Sequence, residues 1–484
     1  MAKPFTFRLP NFAGGLNAKD ATILIGDNQA SDLRNVDFDG AESGALKKRN
    51  GSAYLNSPAL VGSSGIKSIY RAWFSDANSI IIVSSDTRTL RYVGPGFTAL
   101  GAAYTANQRF GFTMFNGFAI YGNATETTKK LSSAGVESAL GGSPPNAKYF
   151  ASWQRRVWAS GNIAFPSRLF FSALDNEADW TTSGDAGNID IDKEDGDYIT
   201  GILPQGNRLL IFKNFKTYAL YWTSPQSNRV ELILHDIGTI SGPSAVDVDG
   251  VALFLHGGGS KTRGVYALSM NSVKLMSDFI SPILEQSSAT DLQNACAGRY
   301  KDSYWLAVNN GGGATNNVIY TLNLKLAAWS YYTGIPAASM YSDTRLGTDR
   351  LLLGHATLGN IILPDTGTSD PGPTAINFYW RSKHFSFGVP ELRKSVHRVH
   401  LMGNNQAGTV TVDSFINGLD TTWNQAITFS GGADVYNFVT LDVDDTRSNA
   451  NTFALQIAAN TTSAVTVYTG SIEGSMEEIG RDGD

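Results

Sequence analysis

The chain repeats one theme: a short apolar strand, a polar turn, then a second apolar strand. It reads IYRAWFSDANSIIIV at 69–83, RFGFTMFNGFAIYG at 109–122, YFASWQRRVWASG at 149–161 and ITGILPQGNRLLIFK at 199–213. It returns as AVDVDGVALFLHG at 245–257, CAGRYKDSYWLAV at 296–308 and MYSDTRLGTDRLLLG at 340–354. Turns such as Asn116-Gly117 and Asp249-Gly250 are strong hairpin signals, because both central residues of a tight hairpin turn need positive φ. The hairpins recur at roughly 40 to 50 residues, the period of a propeller blade. Most are followed by a second strand pair, such as RLFFSAL (168–174) and KTYALYW (216–222). Four strands per repeat make one blade. The pattern therefore predicts an all-β fold, with a β-propeller of about seven four-stranded blades over residues 61–365. A sandwich-and-barrel assembly is the competing arrangement.

The flanks differ. Residues 1–60 are rich in Gly, Asn and Asp with few apolar runs, and predict an extended N-terminal arm that gains order on a neighbouring subunit. DTGTSDPGPT (365–374) has a linker's composition. Residues 375–484 alternate apolar and polar positions in several short runs, predicting an antiparallel β-sandwich. Helix is nearly absent, with SDFISPILEQ (277–286) the one candidate.

Composition sharpens this picture. Charged residues make up 17% of the 484 and glycines number 50, against about a quarter charged in an average soluble domain. Many strands joined by tight turns account for both figures, and so does a surface partly covered by neighbouring subunits. A net charge of −5 argues against a general nucleic-acid binder. The single cysteine, Cys296, excludes internal disulfides and a Cys-based zinc site. The opening MAKPFTFRLPNFAGG has no apolar signal-peptide core, and no run of about 18 apolar residues occurs. Cytoplasmic synthesis without membrane insertion is the expectation.

Candidate chemistry is sparse. His397 and His400 are three apart on a predicted strand, which places them on opposite faces unless a bulge intervenes. No metal site is expected of them. The acidic run NIDIDKEDGDY (188–198) could wrap a calcium ion, but it lacks the closing bidentate Glu of a calcium loop. A solvated loop is the preferred reading. No G-x-S-x-G, H-E-x-x-H or Walker A pattern is present. SALDNEADW (172–180) is close to a sialidase Asp-box, with Glu177 where that box needs glycine. Neither catalytic residues nor cofactors are assigned, and no enzyme activity is expected. Trp153, Trp158, Trp180, Trp222, Trp305 and Trp329 spread evenly over the repeats, which suits blade packing better than sugar stacking. A glycan-binding or glycan-cleaving propeller is kept as an alternative. Lys47, Lys48 and Arg49 form a compact basic cluster that reads as a protein contact rather than a phosphate contact.

The opening stretch from Asn11 to Gly51 resembles the N-terminal signature of the tail nozzle, or tubular tail protein B, family of short-tailed bacteriophages. The matching positions are Phe12, Gly14, Gly15, Leu16, Asn28, Gln29, Asn35, Gly44, Leu46, Lys48, Arg49 and Gly51, with Lys47 inside the basic cluster. Weaker likenesses are RRVWASGNIAFPSRLFFSALDNEADW (155–180), YITGILPQGNRLLIFKNFKTYAL (198–220) and SDFISPIL. The chain lacks the large insertions that family members carry. The resemblance implies a propeller with an added β-sandwich, assembled into a ring, usually of six, beneath the tail adaptor protein in the virion. Such a ring continues the DNA channel without specific DNA binding, closes it before infection and docks tail fibres or spikes. Phe12, Gly14, Gly15, Leu16, Asn35, Lys47, Lys48, Arg49 and Gly51 are then candidates for a subunit interface. A head–tail connector or baseplate ring is the neighbouring alternative.

Overall fold

A computed structural model describes residues 3–38, 44–60, 62–101, 104–270, 272–311, 313–347, 349–430, 437–443 and 450–477. Residues 39–43 of the signature stretch lie outside the described residues. The chain is all-β and propeller-like, and it divides into two compact units. One comprises residues 1–53, 320–334 and 364–484; the other comprises 54–319 and 335–363.

In the second unit, strands Ser68–Ser75, Gly111–Phe115, Tyr149–Trp153, Ile199–Gln205, Val246–Val248, Cys296–Tyr300 and Ala337–Asp343 each open a four-stranded sheet. Each opening strand packs against the next, and Ala337–Asp343 packs back onto Ser68–Ser75, closing a circle. The sheet opened by Ala337–Asp343 takes its outermost strand from Ser52–Tyr54, far upstream.

Strand periodicity explains how neighbouring sheets hold each other. Successive side chains of a strand point to opposite faces. In Arg208–Lys213 every residue is buried. Leu209 and Ile211 join Trp158 and Leu169 in the core toward the preceding sheet. Leu210 and Phe212 join Phe254 and Tyr266 in the core toward the following one. The same division separates Trp158 from Val157 and Ala159, and Ile120 from Ala119 and Tyr121. A strand covered on both faces reads as a continuous apolar run, as RLLIF and RVWAS do. Asn116-Gly117 and Asp249-Gly250 turn with positive φ at both residues, as expected. Gln154 and Arg155 do the same without glycine, at φ 51° and 58°.

The first unit is built on a ten-stranded sheet, with residues 320–334 beside it. Its path runs Ala30–Arg34, Ile376–Ser382, Phe453–Thr461, Lys394–Ile416, Val465–Met476, Leu46–Lys48 and Val36–Asp37. Lys3–Arg8 pairs along Val465–Met476. The 23-residue strand Lys394–Ile416 serves two sets of partners. Its first half pairs with Val465–Met476 and its last residues with Phe453–Thr461.

These observations redraw the divisions expected at 1–60, 61–365 and 375–484. The N-terminal stretch is not an extended arm: its short strands, two to six residues long, are built into the first unit's sheet. Runs that short show no periodicity between their Gly- and Asn-rich connections. Among the described residues helix is confined to single turns. Asp278–Ile280 and Ser281–Leu284 fall on the expected segment, and Ala289–Gln293 follows with a capping box formed by Ser288 and Asp291. Among the described residues no helix is long and apolar enough to cross a membrane.

Trp158 is fully buried, donates its indole N–H to the Trp153 carbonyl at 2.9 Å, and meets Trp222 edge-on at 4.9 Å. Trp158→Ala is expected to cost about 3–5 kcal/mol, read as a lowered midpoint in urea unfolding with an unchanged slope.

Candidate functional site

The signature residues converge inside the first unit. Arg49 is buried and engages all five of its N–H donors. Nη1 and Nη2 grip the Asp370 carboxylate at 2.9 and 2.6 Å. Nη1 also donates to the Asn50 carbonyl at 2.9 Å, Nη2 to the Thr333 carbonyl at 2.8 Å, and Nε to Asn35 Oδ1 at 2.9 Å. Asn35, at φ 57°, donates onward to Thr333 Oγ1 and to the Asn377 carbonyl. Ser52 Oγ completes the Asp370 shell at 2.9 Å. The neighbours of this knot follow from space. A Cβ at Gly51 would lie 2.0 Å from the Ser369 carbonyl oxygen, and Gly15, at φ +72°, leaves 2.7 Å to the Trp329 nitrogen. Gly14 N–H bonds the Asn28 carbonyl, and Leu16 N–H bonds the Trp329 carbonyl. Phe12 is fully buried, edge-on to Trp380 at 4.9 Å.

Lys48 is buried with its ammonium on the Thr368 carbonyl at 2.7 Å. Burial, and then the Arg49 charge, pull its pKa down to about 8 against the opposing pull of Asp370. Lys47 is the outward member of the cluster, 3.7 Å from Asp37. Of the residues named for an interface, Phe12, Leu16, Asn35, Lys48 and Arg49 are buried within the chain, whereas Gly14 and Lys47 are half-buried.

The acidic run resolves into ion pairs. Asp190 meets Arg168 at 2.6 Å; Asp192 meets Lys216, and Asp195 meets both Lys213 and Lys216. Burial opposes the charge on Asp195, yet hydrogen bonds from Lys213, the Asp197 backbone and Lys216 outweigh it and bring its pKa to about 2. Asp197 caps the backbone N–H groups of Asn214 and Phe215. The run is thus a largely exposed loop, as expected, that ion pairs also tie to its neighbours. A bulge does interrupt pairing between Val396 and Arg398, so His397 does not follow simple alternation from His400. His397 bonds Ser475 Oγ, and His400 bonds Thr440 Oγ1. In the Asp-box-like turn, Glu177 pairs with Lys130 at 3.4 Å, and Asp175 with Arg155. Trp153, Trp158, Trp180, Trp305 and Trp329 are buried and Trp222 is half-buried, which leaves no exposed tryptophan platform among these six.

A second feature carries no signal in the order of residues. Where the loops ahead of the inner strands meet, the second unit holds a cavity of about 490 Å³. Arg109, Lys148, Tyr149, Tyr198, Ser241 and Asn294 are in its wall, and no carboxylate residue is. The Arg109 guanidinium, just ahead of the second sheet, reaches the carbonyls of Asn294 (2.5 Å) and Ala295 (3.2 Å), just ahead of the sixth, and of Ala338 (2.9 Å) in the seventh. Gly111 is required beside it, since a Cβ there would lie 2.2 Å from the Lys148 carbonyl oxygen.

No family model matches the chain, and no curated protein does. Solved structures resemble it distantly. The extracellular domain of a hybrid two-component system from B. thetaiotaomicron is 11% identical over 85% of this chain and 60% of its own, with a TM-score of 0.46. BBS1N in complex with ARL6DN is 11% identical over 65% of this chain and 97% of its own, at 0.42. The N-terminal domain of Nup159 is 8% identical over 68% of this chain and 98% of its own, at 0.41. The chain spans about 60% of the first of these. Likeness at this level says nothing about function.

Two measurements check the buried basic cluster. Arg49→Met leaves Asp370 buried without its partner and is expected to cost about 3–5 kcal/mol, read by chemical unfolding of the full chain. Lys48 holds its proton less tightly when folded than when unfolded. Between pH 8 and 10 the unfolded chain therefore binds more protons at this site, and the Lys48 contribution makes stability rise with pH. Lys48→Met is expected to flatten that rise; an unchanged slope would place the shift elsewhere.

Proposed function

We propose that this chain is a virion structural protein: a subunit of a ring at the distal end of a phage tail, which continues and closes the DNA channel and docks fibres or spikes. In this reading the second unit is a seven-bladed β-propeller and the first is a β-sandwich. The observation that carries the proposal is the coincidence between the family resemblance and structural necessity. Gly15, Asn35, Arg49 and Gly51, on which the resemblance rests, are positions where the fold tolerates few other residues. A likeness concentrated on such residues is what shared ancestry would leave behind.

The function is mechanical and needs no catalytic centre. A propeller whose sheets cover each other on both faces is rigid, and its turns can vary without touching the cores between the sheets. The buried tryptophans weigh against the glycan-stacking alternative.

Negative-stain electron microscopy with mass determination tests the proposal, using the full chain alone and with the other tail proteins of its phage. A closed ring of about six subunits with a central hole is the expected result. A chain that stays monomeric with every partner would overturn it.

A further inference from the structure

The cavity of the second unit has a chemistry that the ring reading does not use. Two cations, Arg109 and Lys148, are in its wall and no Asp or Glu is. Arg109 gives three hydrogen bonds, all to neutral carbonyls. A guanidinium has five N–H donors, so Nε and one Nη1 hydrogen have no acceptor among the described residues. Lys148 lies over the Tyr149 ring at 5.2 Å and forms no ion pair among the described residues. Burial lowers the pKa of both groups, and in Lys148 the Arg109 charge adds to it. Lys67, bonded to the Ser64 carbonyl, feels the same Arg109 charge, and Asp86 offsets it.

Arg109 is half-buried and the Lys148 side chain reaches solvent, and neither finds a carboxylate in the cavity wall to pair with. A role in tying three carbonyls together would be met by a neutral donor and does not account for the charge. It accounts still less for a second cation in the same wall. Two cations sharing a cavity repel each other, and an anion between them turns that cost into charge-assisted hydrogen bonds. Pockets of roughly 300–1,000 Å³ suit small organic ligands. Tyr149 and Tyr198 add phenol groups and aromatic faces to the same wall, while the Thr200 and Ser241 hydroxyls in it already donate to the Thr239 and Ala295 carbonyls.

The geometry points to a binding site for a small oxyanion, a carboxylate or phosphate carried on a hydroxylated body such as a sugar acid or sugar phosphate. The site is independent of the ring proposal, since its binding can be measured on monomer or ring alike.

Isothermal titration of the full chain with inorganic phosphate, sodium glucuronate and glucose tests this, in sodium chloride of matched ionic strength. Saturable binding of phosphate, glucuronate or both, with none of glucose, is expected. Lys148→Gln is expected to weaken it about tenfold, the equivalent of about 1.4 kcal/mol, and Arg109→Gln to abolish it. Because Arg109→Gln also loses bonds between sheets, Lys148→Glu supplies a second test. It places a carboxylate beside Arg109, and is expected to raise the melting temperature in chloride while removing the response to phosphate and glucuronate. Heats no larger than those of chloride dilution would overturn the site. So would binding unchanged by both Lys148 substitutions.

Discussion

A four-stranded sheet has two faces, and the second unit depends on both being covered. A four-stranded sheet that is apolar on both faces would, if left alone, expose both of them to water. The circle meets this constraint by giving every sheet two neighbours. Leu209 and Ile211 face one way, Leu210 and Phe212 the other. The closing contact is the packing of Ala337–Asp343 onto Ser68–Ser75, backed by the core of Ile69, Val83, Leu352 and Ile361. Opening the circle anywhere would bare two apolar faces at once. The cavity follows from the same closure, since loops that converge on one axis cannot fill the space between them completely.

The first unit solves a different problem, holding together three stretches that are remote in sequence. Its device is polar. Arg49 binds Asp370, Asn35 and Thr333 in one cluster, and so joins all three stretches. Directional bonds of this kind specify a register more sharply than apolar contact, because a shift of one residue would leave a buried charge without its partner. The glycines around the cluster are the steric counterpart of that choice.

The seven hairpins were legible because their strands are buried on both faces and their turns carry Asn-Gly, Asp-Gly or similar pairs. Gln154-Arg155 was legible only from its flanking strands, since neither residue advertises positive φ. The first unit was much less so. Leu46–Lys48 and Val36–Asp37 are too short for alternation to show, and the strand that joins their pair to the sheet, Val465–Met476, lies more than 400 residues downstream of Leu46–Lys48. Composition alone therefore read as an arm. The basic cluster was visible, but its burial was not, because Asp370 sits in what looked like a linker. The cavity was invisible for a related reason: Arg109 and Lys148 are ordinary loop cations until the circle brings them to one place. The capping box at Ser288 did carry a readable signal, Ser and Asp three residues apart.

The pairing of Lys3–Arg8 with Val465–Met476 also sets a timetable. Nearly every strand of the second unit has left the ribosome once residue 363 is out, so that unit can close while synthesis continues. The first unit cannot. The sheet pairs Lys3–Arg8 with Val465–Met476, so Lys3–Arg8 must wait without this partner while the residues between them are made. At about 5–20 residues per second, the stretch from residue 364 to Val465 alone takes on the order of ten seconds. During that time the edges of Lys3–Arg8 and Ala30–Arg34 are open to other chains. A polar, glycine-rich N-terminus with few apolar runs is a composition that survives such a wait without aggregating.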